Sequence, residues 1–456
     1  MAQISIVRKS QLEGATRLDA EYYMPKYFQN EAVIGASAFT KSTLGELIYP
    51  VMNGFDYRDF GEIGHPYIRV GDVLFGEVNY RDAVRVDIPP DAIKKDVAVK
   101  VGDILFSRKG TFGRSAIVEE AFKDCVISSE IMRLRTKEER VNPYYLSTYL
   151  NSHIGFLQVE RRTHGVSNYS ISQRDLQDIQ VAILPEESQL EIASLVKEAH
   201  CEKEHSYTLY LQAEQLLLDE LGFKDLDLSH QVYWTVPFKK TKEANRLDAE
   251  HFQPKFEWLL QHLASTGKSE LLGNLVVQPI RRGLQPTYME GGEVIVVNSK
   301  YVGKQFVNIE QAERTDLEFW QGSIRAQARK YDVIINSTGW GTIGRANCIL
   351  HDEKTVVDNH VTIIRSDKQR CNPVYLALYL NSKLGQMQTE KWLSGSSGQI
   401  EIYPSDIARY VVYLSTMESQ QKVADLVVQS WEARQKARQL LEEAKSKVEN
   451  LIEGRA

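Results

Sequence analysis

RLDAEYYMPKY at residues 17–27 returns as RLDAEHFQPKF at residues 246–256, 229 positions later. The echo continues: YYLSTYLNS (144–152) returns as VYLALYLNS (374–382), and ESQLEIASLV (187–196) as ESQQKVADLV (418–427). Arg114 and Arg345 close matching Gly-rich turns. The offset drifts only from 229 to 231, so each half keeps its length almost unchanged. A period this long lies far outside solenoid repeats of about 20–50 residues and indicates two copies of one domain-plus-helix unit. A pseudo-dimer of this kind suits a ligand with two related but different sites.

With 456 residues there is chain enough for two or more cores. Charged residues make up 25% and hydrophobic residues 43%, ordinary for a globular protein. No apolar run approaches the roughly 20 residues of a membrane span, and MAQISIVRKS has no apolar stretch of the secretory kind. The four cysteines (Cys125, Cys201, Cys348, Cys371) are scattered without a CxxC pair, which fits reduced thiols in the cytoplasm. The histidines show no HExxH spacing, so no metal is expected. The net charge of −6 is unevenly placed: −1 over 1–185, −7 over 186–222, +2 over 223–417 and 0 over 418–456. Neither large block is a basic surface of the kind that coats DNA without selectivity. DNA binding, if any, falls to local loops.

The acidic segment and its twin are predicted as long helices, each about 35 residues and so roughly 50 Å. Stepping 4,3,4,3 from Val423 gives Val427, Ser430, Arg434, Ala437, Leu441, Ala444, Val448 and Leu451, a mostly apolar heptad seam. Its counterpart is Ile192, Val196, Ala199, Lys203, Ser206, Tyr210, Ala213 and Leu217. Glu198, Glu202 and Glu204 on one helix complement Arg434, Lys436 and Arg438 on the other, so an antiparallel coiled coil is expected. The intervening blocks show short β-branched and aromatic runs broken by Gly, Pro, Asn and Asp, as in 48–75, 99–120, 292–303 and 329–350. Each block turns helical at an Asn-Pro start. The fold class is α+β: two similar domains, 1–185 and 223–417, separated by two long antiparallel helices, 186–222 and 418–453.

Two enzyme-like motifs have simpler readings. Gly339, Gly341 and Gly344 spell GxGxxG after YDVIIN, as a dinucleotide loop would. The first copy, Gly110-Thr111-Phe112-Gly113, is shorter and lacks the middle glycine, so a β-turn is expected. Asn142-Pro143-Tyr144-Tyr145 resembles the NPPY loop of amino-methyltransferases but lacks its second proline, and fits a helix start. No GxxxxGK[ST] loop occurs. No catalytic constellation remains.

The GDILFSRKGTFG turn (102–113), the YLSTYLNS helix and GVSNYSISQRDLQDIQVAILPEESQLEIASLV (165–196), in duplicate, resemble the specificity subunit of type I restriction-modification systems. The resemblance implies a non-catalytic chain with two target-recognition domains, each contacting one half of an asymmetric bipartite DNA sequence. It implies docking of two methyltransferase subunits, which bring S-adenosylmethionine, and in some systems of motor-nuclease subunits; no cofactor is expected in this chain. Base readout needs Arg, Lys, Asn, Gln or Ser aimed into a groove. Candidates in the first block are Arg58, Arg108, Lys109, Arg114, Arg161, Arg162, Asn168 and Tyr169. In the second they are Arg281, Arg282, Lys304, Arg345, Lys391, Ser396, Ser397 and Gln399. Arg17, Asp19, Arg246 and Asp248 fit an ion pair or cap at the domain base instead. The competing readings are a self-contained adenine methyltransferase or fused restriction enzyme, and a coiled-coil scaffold without DNA function.

Overall fold

The computed structural model describes residues 6–8, 12, 17, 19–88, 98–165, 169–222, 230–395 and 400–455. The chain forms two units, 1–203 with 435–456, and 204–434. No helix among the described residues is long and apolar enough to cross a membrane.

Unit 1 begins with α1 (Pro25–Ala36), β1 (Thr40–Thr43) and α2 (Leu44–Leu47). Seven short strands follow: β2 (Met52–Asn53), β3 (His65–Ile68), β4 (Arg85–Val86), β5 (Ile104–Ser107), β6 (Ser115–Ile117), β7 (Val126–Ile127) and β8 (Ile131–Leu134). Then come α3 (Pro143–Asn151), α4 (His153–Arg162), α5 (Gln173–Gln177), β9 (Gln180–Ile183) and the long α6 (Glu186–Leu221). The strands form sheets in the orders β2-β8-β5-β6, β4-β3-β7 and β1-β9.

Unit 2 repeats this plan after α7 (Phe238–Ala244). It contains α8 (Pro254–Ser265), β10 (Ser269–Leu271), β11 (Arg281–Arg282), β12 (Val294–Val297), β13 (Glu313–Thr315), α9 (Leu317–Gly322) and β14 (Gln327–Ala328). Next are β15 (Val333–Asn336), β16 (Ala346–Cys348), β17 (Thr355–Val357) and β18 (Val361–Ile364). The unit closes with α10 (Pro373–Asn381), α11 (Lys383–Trp392), α12 (Pro404–Ile407), β19 (Val411–Tyr413) and the long α13 (Met417–Glu453). Its sheets, β11-β18-β15-β16, β13-β12-β17-β14 and β10-β19, copy those of unit 1 with one added edge strand.

Period-2 alternation explains why the central strands are apolar throughout. Ile104 and Phe106 of β5 face a core shared with α3, while Leu105 faces the second sheet. In β15, Val333 and Ile335 face α10 while Ile334 faces the opposite core. A strand covered on both faces has no polar side to show. The helix faces follow equally simple rules. Tyr149 donates to the Gln180 carbonyl at 2.6 Å, and Tyr375 and Tyr379 donate to the carbonyls of Tyr413 and Val411 at 2.8 Å each. One helical turn apart, these tyrosines clamp the helix to the strand before each long helix.

The long helices pair antiparallel within each unit. In unit 1, Ala199 packs against Ala437 and Leu440, and Lys436 bridges Glu198 (3.0 Å) and Glu202 (2.5 Å), while Lys447 pairs with Glu191 at 2.5 Å. In unit 2, Tyr210, Ala213 and Leu217 share a core with Val423 and Val427. The buried Ser430 hydroxyl there donates to the Ser206 carbonyl at 2.6 Å. A polar pair at this seam position fixes register, because sliding by a turn would bury both hydroxyls against apolar neighbours.

Candidate nucleic-acid interface

An open cleft of about 560 Å³ lies beside the β2 segment in unit 1. Among its lining residues are Asn53, Tyr57, Arg58, Phe60, Arg69, Arg108, Lys109, Ser129 and Glu130. Arg58, Arg108 and Lys109 of the sequence candidates therefore come together. Lys109 lies 3.5 Å from Glu130, an exposed pair that costs little to separate. Arg69 sits over the Phe60 ring at 5.9 Å, and Gln173 donates to Asn53 at 3.2 Å. Arg69 and Asn53 escaped sequence reasoning because topology alone brings them together across dozens of residues. Four cations against two carboxylates, Asp56 and Glu130, leave the cleft positive in a near-neutral block.

The equivalent place in unit 2 carries different chemistry. Gly54 and Gly283 occupy the same position: their backbone N–H groups donate to Ile131 and Val361, which pair in the same register. The residue before each glycine is Asn53 in unit 1 and Arg282 in unit 2. Arg282 pairs with Glu401 at 2.9 Å, donates to the Ile402 carbonyl at 2.8 Å and lies over the Tyr403 ring. Arg281 donates to the carbonyl of Arg325 at 2.9 Å. Thr338 Oγ1 and His360 Nδ1 are 2.8 Å apart, beside a backbone bridge from Thr338 to Glu401.

Other candidates are placed apart from these surfaces. Arg161 is buried, donates to the Tyr22 carbonyl at 2.9 Å, pairs with Glu31 and lies over the Tyr22 and Phe28 rings. It is a brace between α4 and α1, and the structure does not bring it to the surface. Arg162 donates to the Gln158 carbonyl within α4. Lys391 donates to the His251 carbonyl at 3.0 Å; burial and then Arg246 push its amine down to about 8. Arg114 lies over the Phe75 ring at 5.4 Å, its guanidinium pKa lowered by burial. Tyr169 is exposed and contacts Phe112, Arg345 donates to the Gly341 carbonyl at 2.9 Å, and Lys304 is exposed in the loop 303–306. Asn168, Ser396, Ser397 and Gln399 lie outside the described residues.

The motifs find structural uses. Gly339, Gly341 and Gly344 all have left-handed backbone and turn β15 into β16, with no helix opening behind them as a phosphate cradle requires. Asn142 and Asn372 cap α3 and α10, each accepting two backbone N–H groups at 2.9 and 3.4 Å. Replacing either by alanine is expected to cost about 1 kcal/mol, read as a lowered urea midpoint with an unchanged slope. Arg17 chelates Asp19 and reaches the Thr163 carbonyl, and Arg246 chelates Asp248 and reaches the Leu393 carbonyl. RLDAE is thus the ion pair that ties each domain's base to the C-terminal end of α4 or α11. No group of His, Cys, Asp and Glu among the described residues could hold a metal ion.

Residues 39–200 match the family described as type I restriction modification DNA specificity domain. No curated protein matches the chain. Among solved structures, it is similar to the type I restriction-modification S subunit from M. genitalium, with 12% identity, covering 92% of this chain and 96% of that one, at a TM-score of 0.41. It is also similar to the HsdS subunit from Thermoanaerobacter tengcongensis, with 14% identity, 91% and 97% coverage and a TM-score of 0.30. Unit 1 thus carries the match to a type I restriction modification DNA specificity domain, and unit 2 repeats the strand order of that domain.

Proposed function

We propose that residues 1–185 and 223–417 are two target-recognition domains that contact the unlike halves of an asymmetric bipartite DNA sequence. In this reading residues 186–222 and 418–453 are spacer arms, so their length sets the gap between half-sites. Two methyltransferase subunits dock on the chain and supply S-adenosylmethionine and the chemistry; motor-nuclease subunits join in nuclease-bearing assemblies. The observation that carries the proposal is one strand order built twice, with unlike side chains at the equivalent place. Asn53 with Gln173 suits an adenine edge, whereas Arg282 suits guanine.

The cleft of unit 1 supplies the test. In a chain carrying Arg58→Ala, Arg69→Gln and Lys109→Ala, DNA affinity is expected to fall at every salt concentration. The slope of log affinity against log salt should flatten by about 1 for each phosphate left without its cation. A slope identical to that of the parent removes the cleft from the interface. The alternative of a self-contained methyltransferase predicts saturable S-adenosylmethionine binding by the chain alone in calorimetry.

A further inference from the structure

The β15–β16 turn is where the two copies differ in a way that packing does not explain. In unit 1, Phe112 of Gly110-Thr111-Phe112-Gly113 folds back to stack on Phe156, with ring centroids 6.0 Å apart. Unit 2 has two more residues there, and Ile343 takes the inward role against the core. The additional pair is Trp340-Gly341, and Trp340 is 78% exposed. Each of the chain's other five tryptophans is at least partly covered. Tryptophan carries a large apolar surface that normally finds cover.

The turn is rigidly built. Gly339 (φ +100°) and Gly341 (φ +78°) flank the indole in backbone that other residues rarely adopt. The Gly339 carbonyl accepts the N–H groups of Thr342 (3.2 Å) and Ile343 (3.0 Å). The buried Asn336 amide holds the turn to the Ser299 carbonyl at 2.9 Å, and Arg345 donates to the Gly341 carbonyl. Two residues before the indole, Thr338 joins His360 and Glu401, and Glu401 pairs with Arg282. An apolar plate therefore stands on a fixed pedestal next to polar side chains suited to base edges. Apolar wedges beside groove-reading residues unstack base steps and kink duplexes.

We propose that Trp340 is such a wedge: its indole inserts between adjacent base pairs of the half-site contacted by unit 2. This rests on the DNA-reading role of unit 2 proposed above. The first half-site has no counterpart, because Phe112 is already committed to Phe156.

The test uses the full chain and duplexes that it selects from a random library. W340A is expected to weaken binding about tenfold to a hundredfold, the range of one missing base–aromatic stack, whereas W340F retains most of the affinity. The salt slope should not change, since every phosphate keeps its cation. Adding the selected duplex should quench tryptophan emission in the parent but not in W340F, and W340A should lose the bend seen in a circular-permutation gel shift. Urea melting of W340A at the parent midpoint establishes that folding is intact. Parent-like affinity and bending in W340A overturn the wedge. So does a W340A chain that binds DNA normally but no longer binds a protein subunit. If the parent selects no sequence at all, the DNA-reading role fails first.

Discussion

Replacing Asp103 or Asp332 by alanine is expected to remove about 3 kcal/mol from the stability of its unit, a loss measurable by urea or thermal unfolding. The two aspartates are equivalent across the repeat. Asp103 receives Arg135 through two nitrogens at 2.7 Å, and Asp332 receives Arg365 at 2.6 and 2.5 Å. Each carboxylate also accepts the backbone N–H three residues before it, from Lys100 at 2.7 Å or Arg329 at 2.9 Å. The carboxylates are buried and the guanidinium groups only partly so. Removing the acid leaves a half-buried cation and a backbone donor without acceptors, and that asymmetry makes the cost large. The hydrogen bond to aspartate raises the pKa of both arginines, the direction expected of a favourable pair. Arg135→Met combined with Asp103→Leu should recover part of the loss, because it removes the unpaired cation and leaves only the Lys100 N–H without its acceptor. An unchanged midpoint in D103A would show that water replaces the partner without penalty.

Gly54→Ala and Gly283→Ala are expected to be more damaging, about 4 kcal/mol or more, the scale of changes the backbone cannot absorb. A Cβ at Gly54 would lie 1.9 Å from the Ile127 carbonyl oxygen, and one at Gly283 1.9 Å from that of Val357. Both obstacles are main-chain atoms within a strand, so no rotamer change relieves the clash. The strand must lift away, and with it the side chains that line the candidate surface. Gly35→Ala is the control: nothing lies within 4 Å of its added Cβ at the end of α1, so the change should be neutral or gain up to about 1 kcal/mol. Equal destabilisation at positions 35 and 54 would mean that close approach of the backbone is not what demands glycine.

The large features were legible because they depend on periodicity. Eight heptad positions predicted from Ile192 to Leu217 include seven that are buried, Lys203 being the polar interruption. The Asn-Pro helix starts and the β-turn nature of the Gly-rich motif follow from local chemistry that the duplication checks. The site was less legible, because a surface is assembled from distant strands. Arg108 and Lys109 stood out as a charged pair before a glycine turn, but Arg69 and Asn53 gave no local sign. Arg161 and Arg162 are adjacent candidates of the same chemistry; helical phase, not composition, turns Arg161 inward towards Glu31 and Tyr22 while Arg162 stays half-exposed. The aspartates of GDILF and YDVIIN were hidden for the same reason, since their arginine partners lie over 30 residues away. The sequence ESQ opening each long helix also has a structural meaning. Gln189 and Gln420 accept the backbone N–H of Asn142 and Asn372 at 2.9 Å and donate to the carbonyls of Leu184 and Ser415.

One fold, used twice with unlike surfaces, should recognise two unlike stretches of DNA. The decisive measurement is selection from a random duplex library by the full chain together with the methyltransferase subunits proposed to dock on it. Two short, different sequence elements at one fixed separation are expected to be enriched, with a new separation when one heptad is added to both α6 and α13. Enrichment of a single uninterrupted element, two identical elements, or a separation indifferent to helix length would refute the bipartite reading.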